Sequence, residues 1–157
     1  MSEVDPRELL RRLAGDDPQR LLHVHEVPER RARTAEWPDW IAPVLHGALV
    51  GSGVVAPWSH QVEVAEEAHA GRHVVVSTGT ASGKSLGYLM PLLTDLIAGA
   101  SAPHARGATA IYLSPTKALA ADQLARIDRL ALPGVRAATY DGDTPTDERR
   151  WVRVDEV

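Results

Sequence analysis

Gly79-Thr80-Ala81-Ser82-Gly83-Lys84-Ser85 lies between the apolar run Val74-Val75-Val76 and a helix-period stretch that starts at Leu86. It reads as a phosphate-binding loop of the G-x-x-x-x-G-K-[ST] kind. Three residues rather than four separate its glycines, so Thr78 stands at the first position of that pattern. The context on either side therefore carries the reading: a strand before and a helix after are both expected here. Glycines let the backbone turn sharply and bring its N–H groups against phosphate oxygens, and the N-terminus of the following helix adds partial positive charge. Lys84 is the group suited to the β- and γ-phosphates and is the catalytic candidate; the Ser85 hydroxyl is the candidate Mg²⁺ ligand. Nucleotide contacts are expected from Thr78, Gly79, Thr80, Ala81, Ser82, Gly83, Lys84 and Ser85.

Three further blocks work outward from the loop. Upstream, Pro57-Trp58-Ser59-His60-Gln61 precedes a short amphipathic stretch. A glutamine at such a place can pair with adenine N6 and N7, and Trp58 can pack on the base. Downstream, Leu113-Ser114-Pro115-Thr116-Lys117-Ala118-Leu119-Ala120-Ala121-Asp122-Gln123 follows the strand-like Thr109-Ala110-Ile111-Tyr112. The Ser-Pro-Thr turn opens a helix whose first turn holds a hydroxyl, a lysine and free backbone donors, which suits a nucleic-acid phosphate. Last comes Thr139-Tyr140-Asp141-Gly142-Asp143-Thr144-Pro145, after the apolar Val135 to Ala138. Taken singly, these three have ordinary readings as a solvated glutamine, a capped helix and a polar turn.

Taken in order, Ser-His-Gln, Ser-Thr-Gly-Thr-Ala-Ser-Gly-Lys-Ser, Ser-Pro-Thr-Lys-Ala-Leu-Ala-Ala-Asp-Gln and Tyr-Asp-Gly-Asp-Thr resemble the successive motifs of superfamily 2 DEAD/DEAH-box helicases. Within them, the chain is similar to the MrfA/YprA-like branch of DNA-repair helicases, over roughly residues 35 to 153. The resemblance implies adenine recognition at Gln61 with Trp58 beside it, and ATP and Mg²⁺ on the phosphate loop. It also implies nucleic-acid contacts at Thr116, Lys117, Tyr140, Asp141, Gly142, Asp143 and Thr144. The chain stops at Val157, before the acidic motif and the second RecA-like lobe of that family, so it is expected to be an amino-terminal fragment of the first lobe. Val154-Asp155-Glu156-Val157 imitates an acidic motif, but it follows the turn in the 140s too closely and reads as a polar chain end.

Along the chain, Asp5-Pro6 with Glu8 starts a helix and Gly15 stops it; Asp17-Pro18 starts a second short one. Glu29 to Arg33 reads as a solvated linker. Apolar residues from Trp37 to Leu49 recur at helical spacing, with Pro38 in the first turn and Pro43 as an expected kink. Helices are then expected at 59–70, 83–98 and 117–130, with Pro91 as a kink in the second, and a last helix is started by Thr144-Pro145. Strands are expected at 73–78, 108–113 and 135–140. Such alternation implies an α/β fold with a parallel sheet and ligands at the strand carboxyl ends. The expected organisation is a helical amino-terminal segment, 1–55, followed by a partial RecA-like P-loop NTPase domain, 56–157.

Composition narrows the function classes. A net charge of −4 rules out a global basic field, so any DNA contact is local. No cysteine is present, which excludes disulfides, thiolate zinc sites and thiol nucleophiles within these residues. Aromatic content of 4% with no phenylalanine leaves Ala, Val, Leu and Ile to build the core. His23 and His25 lack a third clustered ligand and are not read as a metal site. The start is acidic at Glu3, Asp5 and Glu8, unlike a signal peptide, and the apolar stretch Leu86 to Ala98 contains Asp95 and is too short to span a bilayer. A cytoplasmic protein without membrane association is expected. The favoured function is the ATP-binding, DNA-contacting part of a helicase motor, weak on a single strand or duplex junction, whose missing carboxy-terminal portion is a further expected partner. A stand-alone nucleotide-binding regulatory module and an inactive truncated remnant are the alternatives.

Overall fold

A computed structural model of the chain describes residues 5–15, 17–27, 33–79, 82–101, 107–147 and 149. Thr80 and Ala81 of the loop, most of the linker at 29–33 and the closing Val154–Val157 lie outside the described residues. The chain divides into two compact units, Met1–Arg31 and Ala32–Val157. The stretch from Trp37 to Val55 thus belongs to the same unit as the phosphate loop.

In the first unit, helix α1 (Pro6–Ala14) begins where Asp5 accepts from the Arg7 N–H at 2.9 Å and ends at Gly15, whose φ of +58° suits glycine. Glu8 pairs with Arg11 and Arg12 on its exposed face. Asp17-Pro18 starts only a single 3₁₀ turn, Pro18–Arg20, capped by Asp17.

The second unit holds α2 (Pro43–Gly51), α3 (Ser59–His69), α4 (Lys84–Ala100) and α5 (Lys117–Arg129). Pro43 is not a kink. Ala42 is held at ψ 127°, outside the helical region, and Pro43 takes the first helical position, where its missing N–H costs nothing. Pro91, by contrast, lies buried inside α4, and the helix runs through it to Ala100. Leu45 and Leu49 of α2, Ala65 of α3, and Met90 and Leu93 of α4 form the centre of the core with Ile41 and Leu132. The aliphatic core anticipated from composition is present. The tryptophans sit at its edge: Trp37 meets His46 edge-on, and Trp40 stacks on His69 at 4.0 Å and donates to Glu66 at 3.0 Å.

Helix α4 approaches α3 closely at Gly87, where a Cβ would fall 3.1 Å from Val64 and 3.2 Å from the Gln61 carbonyl. Residues 33–35 pair with 57–59 through one antiparallel bridge, Thr34 to Trp58, which steadies the start of α3. No ladder joins the three expected strands among the described residues. A strand exists only where a neighbour takes its N–H and C=O groups, and a buried parallel strand also needs both faces covered. Here Val75, Ile111 and Leu113 are 95%, 85% and 87% exposed, so these segments have uncovered faces. No described helix is long and apolar enough to cross a membrane.

Candidate nucleotide and nucleic-acid sites

The start of α3 is built around Gln61. It occupies the third helical position, the place where a glutamine can reach back to the N-cap, and its Oε1 accepts from the Trp58 N–H at 2.8 Å. Its Nε2 donates to the Gly83 carbonyl at 2.8 Å. The residue is only 4% exposed, so these bonds satisfy groups withdrawn from water. Among the described residues, nothing takes the second proton or the second lone pair of the carboxamide. Its neighbour His60 places Nε2 3.1 Å from the Ser82 carbonyl. Two adjacent side chains of α3 thus hold two adjacent carbonyls of the loop. The start of α3 near Gln61 was legible in the sequence, but the burial of Gln61 and its bonds to Trp58 and Gly83 were not, nor was the contact of His60 with the loop.

Gly83 is the N-cap of α4 in the left-handed conformation, φ +70°. A Cβ on it would lie 2.6 Å from Gln61 Nε2, so glycine is required twice over. Lys84 Nζ donates to the carbonyls of Thr78 at 2.9 Å and Gly79 at 2.8 Å, folding its charge over the loop that precedes it. The hydroxyls of Thr78 and Ser82 share a hydrogen bond of 2.6 Å. Ser85 lies half-buried in the first turn of α4. The donor set fits a polyphosphate: an ammonium, hydroxyls at 78, 82 and 85, helix-start N–H groups, and open space around Gly79. Trp58 is 47% exposed beside Gln61.

The second cluster lies at the start of α5. Thr116 caps the helix by accepting from the Leu119 N–H at 3.2 Å, and Ser114 donates to the Thr116 carbonyl at 3.1 Å. Lys117, next in the chain, hydrogen-bonds Asp143 and stands 3.9 Å from an Asp141 oxygen. Each partner holds the other charged: the bond to Asp143 raises the Lys117 ammonium above its ordinary range, and the bond to Lys117 lowers the Asp143 carboxyl. The turn itself is tied internally. The Asp143 N–H donates to Asp141 Oδ1 at 2.7 Å, and the Asp141 N–H to Thr144 Oγ1 at 2.8 Å. Arg149, which sequence reading did not single out, donates to the carbonyls of Thr144, Asp141 and Gly142 at 2.8, 2.8 and 2.9 Å. Its guanidinium carbon lies 5.6 Å from the Tyr140 ring centre.

Lys117 and the 141–144 turn are thus brought together, as are Gln61 and the phosphate loop. Between α4 and the segment before Ser114, Tyr88 and Tyr112 stack at 5.7 Å with their hydroxyls 3.2 Å apart. The bond to Tyr88, then partial burial, then charge push Tyr112 up to about 12.

Known proteins are similar to the chain in sequence and in structure. The ATP-dependent helicase YprA of Bacillus subtilis (strain 168) is 33% identical across 98% of the chain, which covers 20% of that protein. The ATP-dependent helicase hrq1 of Schizosaccharomyces pombe (strain 972 / ATCC 24843) is 34% identical across 92% of the chain and 14% of its own length. In structure the chain is similar to the DUF1998 helicase MrfA bound to DNA, with a TM-score of 0.79 and 31% identity, over 96% of this chain and 21% of that one. Its likeness to MrfA bound to DNA and AMPPNP has a TM-score of 0.77 and 33% identity, over 94% and 20%. The chain therefore spans about a fifth of the length of YprA and MrfA, and shares with MrfA the helicase RecA-like fold. Residues 58–156, which begin at the tryptophan capping α3 and include the loop, Lys117 and the Asp141–Thr144 turn, match DEAD/DEAH box helicases, and the chain belongs to that family.

Proposed function

We propose that this chain is the ATP-binding and DNA-contacting part of the first RecA-like lobe of a longer ATP-dependent helicase. The observation that carries the reading is the convergence of Gln61, Gly83 and Lys84 on one loop at the start of α4. With nucleotide bound, Lys84, which now donates to two loop carbonyls, would hold the β- and γ-phosphates, Ser85 would hold Mg²⁺, and the α4 N-terminus would add its dipole. Gln61 retains the donor and acceptor needed for adenine. ATP supplies the phosphoryl group whose loss powers the motor. Residues 73–78, 108–113 and 135–140 would pair as parallel strands in the completed lobe, and the exposed Val75, Ile111 and Leu113 of the first two are faces that such a sheet would cover. Thr116, Lys117 and residues 140–144 form the face toward a DNA single strand or duplex junction, a reading supported by the DNA-bound state of MrfA. The protein acts in the cytoplasm.

Thermal unfolding with and without Mg-ATP tests the nucleotide reading. Mg-ATP is expected to raise the melting temperature of the wild type, and Lys84→Ala to remove most of that rise. An equal rise in both proteins removes the basis of the assignment.

A further inference from the structure

We propose that Asp143 gates the nucleic-acid face: its carboxylate occupies the Lys117 ammonium, and a backbone phosphate binds there only by displacing it. The inference rests on the nucleic-acid reading above and assigns Asp143 a role opposite to that of a contact residue.

The two aspartates of the turn do different work. Asp141 builds the turn, because its Oδ1 accepts from the Asp143 N–H at 2.7 Å and its carbonyl accepts from Arg149 at 2.8 Å. The Asp143 side chain is 82% exposed and its bond is to Lys117, so it is the partner free to exchange. Arg149 is the lesser partner: Nε and Nη2 bind three main-chain carbonyls that hold the turn in place, and its charge acts on Asp143 through space without a hydrogen bond to it. Among the described residues, the charges that meet here are Lys117 and Arg149 against Asp141 and Asp143, which sum to zero. On a chain of net charge −4, such a face does not attract a polyanion until Asp143 is displaced. Lys117 nevertheless sits at the first position of α5, where helix N–H groups and the helix dipole favour an anion. An exposed ion pair is weak and screened by salt, so the pair yields to a phosphate in competition. This arrangement discriminates against weak or isolated anions and favours a strand that presents several phosphates together.

The test uses the whole chain and a fluorescent single-stranded oligonucleotide, with anisotropy titrations over a range of salt for wild type, Asp143→Asn, Lys117→Ala and the double variant. Asp143→Asn keeps the main-chain bonds of the turn. It is expected to bind about two- to five-fold more tightly at low salt and to steepen the log–log salt slope by about 0.7, one single-strand phosphate. The double variant is expected to match Lys117→Ala. Wild-type binding with no gain in Asp143→Asn, or a gain that survives Lys117→Ala, overturns the gate while leaving the nucleic-acid reading intact. Absence of binding by every variant overturns both. Independently of DNA, amine-reactive labelling followed by peptide mapping is expected to modify Lys117 faster in Asp143→Asn; equal rates also overturn the gate.

Discussion

The carboxamide nitrogen of Gln61 donates to the main-chain carbonyl of Gly83 at 2.8 Å, across 22 residues of chain. With its oxygen on the Trp58 N–H, the same side chain caps one helix and fixes the loop that begins the next. If Gln61 recognises a base as proposed, that contact is mechanically linked to the position of the loop through these two bonds.

Removing that carboxamide strands two polar groups. Gln61→Ala is expected to destabilise the chain by about 1–3 kcal/mol, two hydrogen bonds at a buried position, and to erase any preference for ATP over GTP. Gln61→Glu keeps an acceptor for Trp58 but turns a carboxylate toward the Gly83 carbonyl, so it should also be destabilised. Denaturant melts with each nucleotide measure both effects. Equal binding of ATP and GTP by the wild type contradicts adenine recognition at this residue.

The two loop glycines should respond unequally. Gly83→Ala forces a side chain into φ +70° and places a Cβ 2.6 Å from Gln61 Nε2, whereas a Cβ at Gly79 meets nothing within 4 Å. The left-handed conformation alone costs about 1–2 kcal/mol in a non-glycine residue. Gly83→Ala is therefore expected to lower the melting temperature clearly and Gly79→Ala to leave it nearly unchanged. Equal losses contradict the different packing of the two positions.

Alkaline titration reports on the tyrosine pair. Three tyrosines are present, and Tyr112, held up to about 12 in the folded chain, should ionise late. A raised folded value means that the contribution to stability is complete below the ordinary phenolic range, about 10, and is lost as pH rises toward 12. Phenolate absorbance in Tyr88→Phe should show Tyr112 returning toward its ordinary range. An unchanged last midpoint contradicts the hydroxyl contact.

Binding without useful turnover is expected of these 157 residues. Phosphoryl transfer needs a carboxylate on Mg²⁺ from a second side, a residue that positions water, and positive charge on the γ-phosphate. On the proposed reading, Lys84 and Ser85 would supply one side of that arrangement. Phosphate release that survives Asp155→Asn and Glu156→Gln yet disappears in Lys84→Ala reveals a catalytic carboxylate elsewhere in the chain.

Local chemistry made the helices and the loop readable from sequence. Asp5-Pro6, Thr116 and the Gly83-Lys84-Ser85 junction mark helix starts through hydrogen bonds and φ preferences that act over a few residues, and α1, α4 and α5 begin where those signals stand. The aliphatic core followed from composition in the same way. Pro43 shows the limit of such signals: a proline in an apolar periodic stretch marks either a kink or a first turn, and Ala42, held outside the helical region, decides for the first turn. The three strand segments show how far local pattern goes: apolar residues at 73–78, 108–113 and 135–140 favour extended backbone, but a strand needs a neighbour, and no ladder is present among the described residues. Tertiary structure alone decided that His60 and Gln61 hold the carbonyls of Ser82 and Gly83, that Lys117 meets Asp143, and that Arg149 clamps the turn. These pairings join residues from 5 to 26 positions apart. The sequence alone determined which groups were available and where α1, α4 and α5 begin, because those depend on neighbours in the chain; it could not determine the start of α2 or which distant charges and carbonyls meet, because that follows from how the helices and the turn pack in space.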